Sequence, residues 1–84
     1  MDRLDAVRAA QDLRARYFPG AEPREDGAPT GNEHLAWMVQ QMCAALSEGK
    51  TMRWLGYIQG VLVARGASLA DMKELNRVAT ATHI

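Results

Sequence analysis

The sequence predicts an all-α fold, a small helical-hairpin bundle of three to four helices completed by homo-oligomerisation. Apolar residues recur every three or four positions in several separate segments, the spacing of a helix face. No segment shows the strict alternation of a strand, and there is no internal repeat. The breakers are concentrated: all three prolines and three of the seven glycines fall in PGAEPREDGAPTG, between Pro19 and Gly31.

Residues 1–18 read as an amphipathic helix. Leu4, Val7, Ala10, Leu13 and Tyr17 sit at helical spacing among arginines and aspartates, and Pro19 stops the pattern. Residues 19–30 form a loop long enough to be a linker or a lid. Residues 31–84 hold the hairpin and a C-terminal helix, all within one domain. Thr30-Gly31-Asn32-Glu33 matches a capping box for a second helix running to about Ser47, with Gly49 suited to a left-handed C-terminal position. Leu35, Met38, Val39, Met42 and Leu46 make its stripe, while His34, Trp37 and Gln41 occupy a neighbouring face. A third helix starts near Thr51 and ends at Gly66. The short connection makes these two helices antiparallel neighbours. Ser68 to Asp71 is a weaker capping signal for a last helix carrying Leu69, Met72, Leu75 and Val78, which frays into ATATHI.

Size sets the energetic problem. A chain of 84 residues buries only about 60% of its unfolded surface. A core of that size rarely supplies more than about 3–5 kcal/mol, so a disulfide, a metal or a partner usually helps. Cys43 is the single cysteine, so no internal disulfide can form, and the cytoplasm is the expected compartment. The opening MDRLDAVRAA lacks the apolar region of a signal peptide, and no apolar run reaches the length of a membrane span. Net charge is zero. Lys50, Arg53, Arg65, Lys73 and Arg77 give the last third a mild basic excess, too weak for a duplex nucleic-acid binder but enough to hold a small anion.

The stretch TMRWLGYIQGVLVARG poses the main question. On a helical wheel Leu55, Ile58 and Leu62 form one face, flanked by Trp54 and Val61. Tyr57, Gly60 and Ala64 lie opposite, Gly56 and Val63 lie to the side, and none is charged. A helix apolar all round is buried all round, and so short a chain has little to cover it with. Self-association around this helix is the expectation, with Gly56 and Gly60 permitting close approach. Gln59 then needs a partner, either on another helix or on a ligand. Arg53 has two readings: an ion pair with Glu48 or Glu33, or a fork of donors for a phosphate beside the stacking faces of Trp54 and Tyr57.

Catalytic groups are sparse. Glu33 and His34 are adjacent and do not face each other on a helix. Cys43 and His34 fall on opposite faces, and His34, Cys43 and His83 lack metal-ligand spacing. Cys43 and the five methionines read as core residues, and Trp37 as core or stacking surface. No enzymatic activity, cofactor or metal is expected.

The segments NEHLAWMVQQM, MRWLGYIQGVLVARG and SLADMKELNR resemble a group of small phage-encoded proteins sharing an N-x-H-L-x-W-M helix and an R-W-L-G-[FY]-[IV]-Q-G-V-L helix. The similarity covers about residues 32–77. It extends to helical-hairpin proteins that phages use against CBASS and Thoeris immunity, homo-oligomeric sponges that sequester host signalling nucleotides without cleaving them. The resemblance implies a cyclic-nucleotide or cyclic ADP-ribose type of ligand in a pocket between subunits. Arg53, Trp54 and Tyr57 would line it, Asn32 and His34 at a helix start would complete it, and Trp37, Lys50 and Gln59 are further candidates. The rival class is a protein-binding inhibitor or adaptor presenting the hairpin to a host protein.

Overall fold

The computed structural model describes residues 1–44 and 46–81. Thr82, His83 and Ile84, half of the expected frayed tail, lie outside the described residues, and the other half, residues 79–81, is helical. Four helices follow in order: α1 (Arg3–Tyr17), α2 (Asn32–Ala44), α3 (Glu48–Ala64) and α4 (Leu69–Ala81). Among the described residues there is no strand, and no helix is long and apolar enough to cross a membrane.

Helix α1 is the hub, touching each of the other three. It does so through Ala6, Ala9, Ala10 and Leu13, all with no exposed surface. Their i, i+3, i+4, i+7 spacing makes one face, and three alanines let neighbouring backbones come close. The expected stripe misplaced Leu4, which is 53% exposed because its side chain points away from that face. Asp2 and Asp5 form a reciprocal capping box: Asp5 N donates to Asp2 Oδ1 at 2.9 Å and Asp2 N to Asp5 Oδ2 at 3.0 Å. This explains how Asp5 can be buried.

The start and stop signals of the middle helices differ from the sequence reading. Helix α2 opens at Asn32, and Leu35 N donates to Gly31 O, so Gly31 holds the capping position. The Thr30 hydroxyl makes no capping bond among the described residues, because Thr30 lies one position too early. Helix α2 stops at Ala44 rather than Ser47. Arg3 closes its end from α1, donating Nη2 to Met42 O and Nε to Leu46 O, both at 3.0 Å. Met42 O is one of the last four carbonyls that a helix leaves unpaired, and Leu46 O belongs to the turn just beyond it. Helix α3 begins at Glu48, three residues before Thr51, because Ser47 accepts from Lys50 N at 3.2 Å. Gly49 therefore sits inside the first turn, not in a left-handed cap.

The left-handed glycine is Gly66, with φ of 105°. Its N–H donates to Val63 O and that of Ala67 to Leu62 O, the two bonds of a Schellman motif. Ser68 Oγ then accepts from Asp71 N at 3.3 Å, as the sequence suggested, and α4 follows. Its buried residues are Met72, Leu75 and Ala79. Leu69 and Val78, expected in the stripe, are exposed. Cys43 is also exposed, with its Sγ accepting from Gln11 Nε2, so it is not a core residue. Met38, Met42 and Met72 are core; Met1 is exposed and Met52 half-buried.

Candidate functional site

Helix α3 divides its surface three ways, as its turn angle dictates. Thr51, Leu55, Ile58 and Leu62 are buried against the bundle. Gln59 turns toward α4, where its Nε2 donates to Asn76 Oδ1 at 2.8 Å. Lys50, Arg53, Trp54 and Tyr57 recur at i, i+3, i+4 and i+7 along the remaining face. The expectation that this helix is buried on all sides fails within one chain: Gly56, Tyr57, Gly60 and Ala64 are exposed.

On that remaining face the structure gathers most of the sequence-predicted site. His34 and Trp37, one turn apart on α2, have ring centroids 5.4 Å apart with planes tilted by 31°. Trp37 meets Trp54 of α3 at 5.7 Å and 38°. The Lys50 ammonium stands 5.2 Å from the Trp54 ring centroid, within the range of a cation–π contact. His34, Trp37, Met38, Trp54 and Tyr57 line an open groove of about 250 Å³. Both tryptophans are half-buried, so each gives one part to the core and one part to the groove.

Arg53 is exposed and has no ion pair or hydrogen bond among the described residues. Neither Glu48 nor Glu33 pairs with it. Its guanidinium turns back over the first turn of α3, where a Cβ on Gly49 would stand 3.6 Å from Nη1. A cation with no partner on the same helix face as Trp54 and Tyr57, though not lining their groove, is an available anion contact.

Two predicted residues are committed elsewhere. Gln59 lines a separate groove of about 330 Å³ between α3 and α4, with Lys73 at its rim. Asn32 Oδ1 accepts from the Arg65 guanidinium, which also donates to Thr30 O. Arg65 was not among the sequence candidates. It lies two turns beyond Tyr57 on the same face, a relation the helical wheel contains. Together with Thr30, Tyr57, Gly60, Val61 and Ala64 it lines an open hollow of about 470 Å³. Tyr57 belongs to both this hollow and the aromatic groove, and forms the wall between them.

The loop from Pro19 to Gly31 lies against this site. His34 Nδ1 is 3.0 Å from Glu25 O, the Tyr57 hydroxyl donates to Pro29 O at 2.7 Å, and Arg24 N donates to Glu33 O at 3.0 Å. Within the loop, Arg24 pairs with Asp26 at 3.2 Å. That hydrogen bond, and then the charge attraction, hold the Asp26 carboxyl below its ordinary range. Among the described residues no group of three or more His, Cys, Asp or Glu side chains is placed to hold a metal. The chain matches no protein-family model, no curated protein and no solved structure.

Proposed function

We propose that this protein captures a nucleotide and holds it without transforming it, as a counter-defence sponge for a host immune signalling nucleotide of the cyclic or cyclic ADP-ribose type. One observation carries the reading: a run of aromatic faces, His34–Trp37–Trp54, shares one groove with Tyr57 and has the Lys50 ammonium against Trp54, with Arg53 on the same helix face over Gly49. Stacking faces suit bases whatever their edges, and a partnerless guanidinium suits a phosphate.

Magnitudes favour assembly. Nanomolar capture needs about −12 kcal/mol, whereas one stacked base contributes about 1–3 kcal/mol. A groove of about 250 Å³ is below the roughly 300–1,000 Å³ of pockets that enclose a ligand. A second copy laid on the exposed strip of Gly56, Gly60 and Ala64 would roof the groove and add further contacts. The small residues of that strip favour close helix approach.

The test is direct. Purified protein is incubated with a panel of linear and cyclic nucleotides and with infected-cell lysate, washed, denatured, and the released molecules identified by mass spectrometry. Intact nucleotide is expected. Absence of heat and of thermal shift with every panel member would favour the protein-binding class instead. A lone, folded protomer in sedimentation at micromolar concentration would remove the intersubunit pocket.

A further inference from the structure

The loop holds the groove by its carbonyl oxygens. Glu25 O faces His34 Nδ1 at 3.0 Å, and Pro29 O takes the Tyr57 hydroxyl at 2.7 Å. A carbonyl only accepts, so both bonds fix the position of a hydrogen. His34 carries its proton on Nδ1, which leaves Nε2 of the neutral ring with a lone pair. The Tyr57 hydrogen points to the loop, which leaves its oxygen able only to accept. Both side chains line the aromatic groove.

We infer that the Pro19–Gly31 loop is a specificity element: by consuming these two hydrogens it makes the groove select a flat heterocycle bearing an exocyclic amino group over the keto equivalent. This rests on the nucleotide-binding reading above and names the base such a site takes. Adenine and hypoxanthine are alike in shape, and at the exocyclic position adenine offers an amino donor where hypoxanthine offers a carbonyl; the N1–H of hypoxanthine reaches the same acceptor only by a shift of the base, which keeps the expected preference modest. A carbonyl set against Nε2 or the Tyr57 oxygen meets lone pair with lone pair. The indole N–H groups of Trp37 and Trp54 donate regardless of the loop, so they do not produce this preference.

Two measurements decide the matter. The first needs no ligand: ¹⁵N spectra of the full chain at about pH 8, well above the ordinary imidazole pKa of about 6.5, report the tautomer of each of its two histidines. The Nδ1–H form is expected at His34, and the Nε2–H form there overturns the inference. The second titrates AMP and IMP, equal in phosphate charge, at the same pH. AMP is expected to bind about three- to tenfold more tightly, the lower end applying because the groove is open to water. His34→Phe keeps a ring face but no nitrogen, and should bring that ratio toward one. IMP binding as tightly as AMP overturns the inference while leaving nucleotide capture standing. Binding of neither, together with every other member of the panel, overturns both.

Discussion

Two flanks of α3 carry different side chains under opposite conditions. On one, Thr51, Leu55, Ile58 and Leu62 are sealed against the bundle, and Thr51 turns its hydroxyl back to Ser47 O at 2.8 Å. On the other, about a third of a turn away, Lys50, Arg53, Trp54 and Tyr57 remain half-buried or exposed, although two of the four are large aromatics. The first flank holds the fold together. The second spends its apolar area on a groove and keeps a cation without a partner, an arrangement that adds little stability. Substitutions should therefore separate cleanly, stability on one flank and ligand capture on the other.

The strongest test of that division is Ile58→Ala. Ile58 has no exposed surface, so its truncation should lower unfolding free energy by about 2–5 kcal/mol in urea titration. A loss under about 1 kcal/mol would mean the sealed flank is not the core. Arg3→Ala comes next. It leaves the carbonyls of Met42 and Leu46 without their donor, and about 1–3 kcal/mol should be lost. Hydrogen exchange should rise first at the end of α2. Arg53→Ala sharpens the comparison from the other side. Stability should change by no more than about 0.5 kcal/mol, while nucleotide capture falls at least about tenfold with assembly unchanged by light scattering. Unchanged affinity would displace Arg53 from the site.

The smallest effect concerns the loop. Because its pairing with Arg24 lowers the Asp26 carboxyl, whatever stability the pair gives is present above the ordinary carboxylate value of about 4 and lost as pH falls through the lowered one. Both side chains are exposed. Amide exchange around Gly27 should quicken only under strong acid, beyond the intrinsic pH dependence, with no matching shift in global unfolding. Loosening already at pH 6 would assign the loop's order to other contacts.

Much of this architecture was legible in advance. The all-α class with three to four helices, the break at Pro19–Gly31 and the cap at Ser68 follow from spacing, whereas the grouping of His34 and Trp37 with Trp54 and Tyr57 was only what the resemblance implied. What stayed hidden has a common cause. Val7, Ala10 and Leu13 of the α1 packing face were named in advance, but alanine carries little hydropathy, so Ala6 and Ala9 were passed over for Leu4, a larger residue that faces outward. The same weakness put Val78 ahead of Ala79 in α4. The end of α2 depends on Arg3, 39 and 43 residues away from its acceptors, and local patterns cannot report a cap supplied from another helix. Gly49 and Gly66 both resembled helix-ending glycines, and only the second has the positive φ. Ser47, which could have decided between them, was read as the end of one helix instead of the start of the next.

Helix α1 is synthesised before the other three helices, yet it touches each of them, and α3 and α4 are its principal partners. Its alanine face must therefore wait in water until those two helices have followed it. Folding of this protein is consequently a late, concerted event in translation, and stalling synthesis before α4 should leave an unfolded nascent chain in place of a half-built bundle.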